Sequence, residues 1–300
     1  MRKSKLINSK EKVVLSIVVV SFNTVEYLTR CIDFIRKNPP TVSFEIFIVD
    51  NNSKDNSTEI VKEYYPEVKL IENSENFGFS YANNQAIVRS RGKYILILNP
   101  DTVVTKGAID QLVNYMEENP STGAAGAKML NFDGSMQYSC RRFPTIFNVF
   151  FGRQSVFMRF LPYNRISRKY LMMDNDYSRN IETDWVFGAS MILRRRALEE
   201  VGIFDEDYFI FVEDTDLCYR MREKGWKVHF VADAVIFHHL GVTREKFWKT
   251  TVLNHNIGMF KFFRKHYNPN VFLQAVLYMG LSLRLLFLVM VRSAQDFFQG

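Results

Sequence analysis

Six residues stand where chemistry could use them. Asp50 ends the apolar run "FEIFIVD" and precedes the polar turn "NNSKDNS", and Asp101 closes "YILILNPD". Glu213, Asp214 and Asp216 cluster in "VEDTD", and His238 opens the pair in "FHHLG". A carboxylate at a strand end can accept a proton from a base N–H or a ribose hydroxyl, and Asp50 has that placement. No glycine-rich phosphate loop is present, since "NFGFSYANNQ" holds one glycine, so a diphosphate would need its charge met in another way. A divalent cation on a carboxylate would meet it, and Asp101 is the candidate. Each feature also has an ordinary structural explanation: an Asx turn for "DNNS" and "NPD", a helix cap for "EDTD", a core histidine for "HH".

Positioning such groups requires a scaffold, and the chain has the pattern of one. "VVLSIVVV" (13–20) is apolar on both faces, as a central parallel strand is when helices cover both sides. Asn23 and Glu26 have the spacing of a capping pair that opens a helix to about Lys37. The rhythm continues with strands at 44–50, 68–73, 94–99 and 123–129 and helices at 56–65, 79–90 and 106–118. Alternation of this kind predicts an α/β fold with a mostly parallel sheet, whose strand carboxyl ends form the ligand edge. Between about 130 and 180 the regularity breaks, which suggests an insertion or lid. A strand pair at 183–195, a short helix to Gly202 and a helix from near Asp214 to Lys224 follow, with Gly225 as its stop.

From about 243 the pattern is helical. "VFLQAVLYMGLSLRLLFLVMV" (271–291) is long enough to cross a bilayer, but Gln274 and Arg284 favour a helix lying in the interface or packed on the domain. The preceding "FKFFRKHY" (260–267) has the aromatic and basic mixture of a headgroup region or of a solvated amphipathic helix.

The 300 residues are 47% hydrophobic, enough for a substantial core, and the net charge of +7 suits phosphorylated ligands or an anionic membrane. Charge is the only feature that suggests nucleic acid, and no RNA- or DNA-binding motif accompanies it. Cys31, Cys140 and Cys218 lack metal or disulfide spacing and fit a reducing compartment. The opening "MRKSKLINSKEKVV" is too polar for a secretory signal, so a cytoplasmic protein is expected.

Taken in order, "SIVVVSFN", "IFIVDNNSKDNS", "ENFGFSYANNQAI", "YILILNPDT", "DWVFGASMILRRRALEEVGIFDEDYFIFVEDTDLCYRMREKGWKV" and "VIFHHLG" resemble the family 2 glycosyltransferases of the GT-A fold, over about residues 14–243. The NPD form resembles the bacterial rhamnosyltransferase-like enzymes that build cell-surface polysaccharides. The resemblance implies a GT-A domain over 1–242, with a nucleotide-binding half at about 13–130 and an acceptor-binding half at about 131–242. A membrane-associating helical region at 243–300 would place the enzyme on the inner face of the plasma membrane. It implies a nucleotide-sugar donor held by Asp50, with Ser21, Asn23, Asn83 and Asn84 near it. Asp101 and His238 would hold Mg²⁺ or Mn²⁺ on the diphosphate, with His239 as the alternative ligand. Asp214 would be the general base of an inverting transfer to a lipid-linked or polysaccharide acceptor lying near Gly188, Ala189 and Glu213. The best-matching donor is dTDP-rhamnose; a UDP- or GDP-sugar, or a non-catalytic nucleotide-sugar-binding protein, is the alternative. A nucleotidyltransferase would carry a glycine- and lysine-rich loop after the first strand, which "SFNTVEY" lacks. Three departures stand out: Asn99 is neutral where many relatives have an acid, Tyr81 and Ala82 replace glycines, and Leu240 replaces another. No QxxRW follows the base, which disfavours a processive synthase.

Overall fold

The computed structural model describes residues 12–145, 165–239 and 248–299, with side chains to residue 290. The first part of the chain runs β1 (Leu15–Ser21), α1 (Val25–Lys37), β2 (Phe44–Asp50), α2 (Ser57–Tyr64), β3 (Lys69–Glu72), α3 (Phe79–Arg89), β4 (Tyr94–Leu98), β5 (Thr102–Val104), α4 (Ala108–Glu118) and β6 (Thr122–Leu130). Then come β7 (Met136–Gln137), β8 (Cys140–Arg141), α5 (Arg165–Tyr170), β9 (Ile181–Thr183), β10 (Trp185–Val186), β11 (Ser190–Arg194) and α6 (Arg195–Val201). The chain continues with α7 (Glu213–Glu223), β12 (Lys227–His238), α8 (Trp248–Tyr267) and α9 (Val271–Gln299).

Among the described residues the main sheet has ten strands, with the path β3-β2-β1-β4-β11-β6-β12-β5, β7 on β6 and β9 on β12. β1 lies parallel between β2 and β4, in the register that sets Ser21 beside Asp50. β11 enters antiparallel between β4 and β6, so the sheet is mixed.

Alternate residues of the central strands serve two cores. Ile17, Val19, Ile46 and Ile48 pack with Leu28, Ile32, Leu112 and Met116 of α1 and α4. Val18, Phe47 and Val49 pack on the other face with Ala82 and Ala86 of α3, Leu217 and Met221 of α7, and Phe262 and Phe263 of α8. This period-two division explains the run that was apolar on both faces. Over 260–267, Phe262 and Phe263 are fully buried, about 1.5–3 kcal/mol of transfer free energy each, while Arg264, Lys265 and Tyr267 stay exposed, as expected of an amphipathic helix with one face on the domain. The three cysteines are buried and unpaired.

Gly78, before α3, has φ +88, and a Cβ there would lie 2.4 Å from the Phe209 carbonyl oxygen. Close approach fixes this glycine, because Phe79 N donates to that same oxygen at 2.6 Å. Gly78→Ala is expected to destabilise the fold by about 3 kcal/mol or more, as strain and overlap combine. The urea midpoint should fall accordingly.

Candidate functional site

The site is built on the carboxyl edge of β1, β2 and β4. Asp50, at the last position of β2, accepts from Ser53 N through Oδ2 at 2.8 Å, while its buried Oδ1 has no hydrogen-bond partner. Burial pushes its pKa up, and the charges of Asp55 and Glu72 add to that. A buried carboxylate oxygen left without a donor costs on the order of 1–3 kcal/mol, which a ligand N–H or O–H would recover. The loops after β1 and β2 are tied together around it. Asn23 N donates to Ser53 Oγ (2.8 Å), Lys54 N donates to Asn23 Oδ1 (2.7 Å), and Val25 N donates to Asp55 Oδ2 (2.8 Å). Asn23 is therefore not a helix cap: it lies at φ 53, two residues before α1, and Thr24 holds the cap position. The polar groups of Asn23 serve the loops, and Ser21 Oγ pairs with Thr24 Oγ1 at 3.0 Å. Both residues fix the shape around Asp50.

Past β4, the chain turns at Asn99 and brings Asp101 beside β12. The pairing of His238 with Thr102 puts the His238 ring at the Asp101 carboxylate, with Nε2 3.3 Å from Oδ1. No hydrogen bond joins them, and Asp101 Oδ1 is buried without a partner. Gln137 explains why. Its Nε2 must face the His238 carbonyl, which can only accept (2.8 Å), so its Oε1 receives the proton of His238 Nδ1 at 2.9 Å. With a proton on Nδ1, a neutral ring turns its Nε2 lone pair toward the carboxylate, where the two could share a cation, whereas an imidazolium would pair with the carboxylate directly. One carboxylate and one imidazole make up the pair; no cluster of three or more His, Cys, Asp or Glu ligands occurs among the described residues. His239 donates its backbone N–H to the Asp101 carbonyl (2.9 Å), and its ring packs on Tyr27 and Phe132. Of the two histidines, His238 faces the carboxylate.

The antiparallel entry of β11 joins this corner to the acidic helix. Asn99 N donates to the Ala189 carbonyl at 3.0 Å, and one residue earlier Gly188 N donates to Asp214 Oδ2 at 3.0 Å. Asp214 lies in the first turn of α7, where Thr215 N (2.7 Å) and Thr215 Oγ (3.2 Å) donate to its Oδ1. Asp214 keeps part of its surface open, yet its carboxylate is set deep enough that burial pushes its pKa up. The N–H groups of Gly188 and Thr215 and the nearby charge of Arg141 partly offset that rise. Glu213 is raised much further, by burial first and then by the charge of Asp214, and its Oε2 has no hydrogen-bond partner. Of this pair, Asp214, with three donors, is the member better held as the anion.

Asp216 has a different task. It is fully buried and meets Arg220 Nε (2.8 Å), His266 Nε2 (2.7 Å) and Lys265 Nζ (2.8 Å). Burial works to raise its pKa, but the bond to His266 and the charges of Arg220 and Lys265 outweigh it and hold the group at about 2. A depressed pKa gives stability that is present above the unfolded value near 3.8 and lost as pH falls through the folded value. Between pH 4 and pH 2 the protein should lose ~2 kcal/mol that an Asp216→Asn variant does not lose, read from urea unfolding at each pH.

The structure does not leave Asn84 for a donor. Its Nδ2 donates to the Phe204 carbonyl and Glu206, and its Oδ1 accepts from Phe204 N. Asn84 thus straps α3 to the loop before α7. Asn83 spends Nδ2 on the Phe79 carbonyl and keeps a buried, unpartnered Oδ1. Arg141, whose guanidinium sits over the Phe187 ring at 4.9 Å, is a cation near Asp214 that periodicity gave no sign of. Asn51 was likewise hidden in "DNNS": its Nδ2 holds the Gly78 carbonyl at 3.1 Å, tying the Asp50 turn to α3.

Comparison with known proteins gives the chain a family. The profile described as "Glycosyl transferase family 2" matches residues 16–202, well over half of the chain. The chain belongs to glycosyl transferase family 2. It is thus a glycosyltransferase, and a profile of glycosyl transferase family 21 matches residues 173–295. It is similar to the N-acetylglucosaminyl-diphospho-decaprenol L-rhamnosyltransferase of Mycobacterium tuberculosis, with 29% identity over 75% of this chain and 76% of that protein. The rhamnosyltransferase WbbL of Escherichia coli is 24% identical over 82% of this chain and 91% of its own length. Among solved structures, the mannosyltransferase PcManGT of Pyrobaculum calidifontis, in complex with GDP-Man and Mn²⁺, superposes with a TM-score of 0.58. At 17% identity over 96% of this chain and 76% of that one, this shows the shared GT-A fold.

Proposed function

We propose that this glycosyltransferase moves one rhamnosyl unit from dTDP-rhamnose to a lipid-linked acceptor, with inversion, in the building of a cell-surface polysaccharide. The observation that carries the reading is the convergence of Asp50, the Asp101–His238 pair and Asp214 on one sheet edge, linked through Asn99, Ala189 and Gly188. The names of the mycobacterial and Escherichia coli relatives support the sugar and the lipid-borne acceptor.

Asp50 receives the nucleoside through its free Oδ1, and Ser21 and Asn23 shape that end of the edge. Asp101 and His238 suit Mn²⁺ or Mg²⁺, which supplies charge neutralisation to the departing diphosphate; a neutral imidazole favours Mn²⁺. The structure of PcManGT, solved with Mn²⁺, supports that choice. With one carboxylate and one imidazole from the protein, the remaining positions would fall to phosphate oxygens and water. Asp214 takes the acceptor hydroxyl proton as the acceptor oxygen bonds to the anomeric carbon and the bond to the nucleoside diphosphate breaks. Gly188 presents no side chain beside that carboxylate, and Ala189 only a methyl group, so the acceptor can approach. Glu213, protonated, leaves Asp214 as the ionised member of the pair. Because the base must be ionised, transfer should fall on the acid side with an apparent pKa above the ordinary 3.8 of aspartate, seen in the pH profile of kcat.

The membrane is the second part of the proposal. Val271–Met290 has a mean hydropathy of 1.9 and is long enough to cross a bilayer, with 22% of it buried. Leu277, Leu281 and Arg284 face the domain, whereas Phe272, Tyr278, Met279, Leu283 and Leu286 are exposed. A helix anchored at its middle to a catalytic domain lies along a bilayer more readily than through it. The test is incubation with a panel of nucleotide sugars, Mn²⁺ or Mg²⁺ and membrane lipid extract, following free nucleoside diphosphate. Release with dTDP-rhamnose that needs the lipid supports the proposal, and no release with any donor overturns it.

A further inference from the structure

α8 touches the start of α7 at two separated places. Near its middle, Gly258 lies under Phe211 and Val212, where a Cβ would come within 3.1 Å of the Phe211 carbonyl and 3.0 Å of the Val212 side chain. Phe211 and Val212 have φ of 70 and 73, a conformation that costs a bulky or β-branched residue on the order of 1–3 kcal/mol. They set the direction in which α7 departs. At its C-terminal end, α8 brings Lys265 and His266 to Asp216, which is fully buried and whose backbone N–H bonds to the Val212 carbonyl at 2.8 Å. Asp214 lies between the two contacts, held by donors only 3.0 and 2.7 Å away on Gly188 and Thr215.

We infer that Lys265 and His266, with Gly258, are positioning residues that hold Asp214 in register with Gly188, making the C-terminal helices part of the catalytic apparatus as well as an anchor. The inference rests on the assignment of Asp214 as the base. Arg220, one turn along α7, links Asp216 to the carbonyls of Val201 (2.6 Å) and Ile203 (2.7 Å), and Tyr208 reaches it at 3.4 Å, so these hold α7 to the segment before it. The two α8 groups add the hold from the C-terminal helices. The link also joins the base to α9, whose apolar side is exposed.

The His266 ring packs between Tyr219 (4.3 Å between centroids) and Phe262 (4.8 Å), so phenylalanine would keep the packing and lose the hydrogen bond. The test compares the wild type with Lys265→Met/His266→Phe and with Lys265→Met/His266→Gln, where glutamine can still donate to Asp216. The phenylalanine pair is expected to lower kcat at least about tenfold, with KM for the donor within about twofold. The glutamine pair should recover most of kcat. Amide exchange at Thr215 and Asp216 should speed up about tenfold in the phenylalanine pair, with β1 and β4 unchanged. An unchanged kcat, an equal loss in both pairs, or a parallel rise in donor KM would overturn the inference. If the wild type transferred no sugar, the functional assignment would fall, and exchange would still decide the contact: acceleration confined to 212–216 supports it, and unchanged exchange refutes it.

Discussion

Asp214→Asn is expected to lower kcat for sugar transfer by about 10²- to 10⁴-fold while leaving the donor dissociation constant unchanged. The base must accept a proton, and an amide cannot. Donor affinity should survive because Asp50, Asp101 and His238 come from β2, the turn after β4 and β12, none of which depends on the Asp214 charge. Stability should move little, since two effects oppose each other. An amide leaves one of the two backbone N–H groups, on Gly188 or Thr215, without its acceptor, at about 1–3 kcal/mol, while removing the charge relieves the burial that raises the Asp214 pKa. Calorimetry with the nucleotide sugar and Mn²⁺, set beside the rate of nucleoside diphosphate release, separates binding from chemistry.

The second large effect falls on the cation pair. Asp101→Ala and His238→Ala should each weaken Mn²⁺-dependent donor binding by more than about 100-fold, and Gln137→Leu by about 10- to 100-fold, because Gln137 fixes the proton on Nδ1 and leaves Nε2 free to ligate. The variants differ from ordinary core damage in a checkable way. With the imidazole neutral and no metal bound, Asp101 Oδ1 and His238 Nε2 present electron pairs to one another, so under those conditions Asp101→Ala should not lower the thermal midpoint. The rise in midpoint on adding Mn²⁺ and donor should disappear. A lowered metal-free midpoint with an intact Mn²⁺ response would mean that the pair is structural.

How much of this was legible before folding depends on the range of the interaction. The strand ends at Asp50 and Asp101 could be read because a parallel strand buried on both faces announces itself as an apolar run, and the edge of such a sheet is where ligands go. Asp214 and His238 were placed by an ordered series of motifs over more than two hundred residues, and the structure brings Asp101 and His238 into contact and ties Asp214 to Gly188. Long-range partners were hidden. Nothing in "FKFFRKHY" says that Lys265 and His266 belong to a carboxylate fifty residues earlier, or which face of this amphipathic segment packs on the domain through Phe262 and Phe263. Asn84 and Asn23 were read through one role when they have another: the Asn84 amide straps α3 to Phe204, and Asn23, read as a helix cap, ties the loops at Ser53 and Lys54.

The central claim is a single direct displacement on this edge, with one carboxylate base and the diphosphate leaving from the opposite side. The measurement that meets it most directly is the anomeric configuration of the transferred sugar, determined by NMR on the product of the wild-type enzyme alongside a count of nucleoside diphosphate released. The account predicts inversion relative to the donor, with one nucleoside diphosphate per sugar transferred. Retention of configuration would contradict it, because it would require a second displacement that the Asp214 arrangement does not supply.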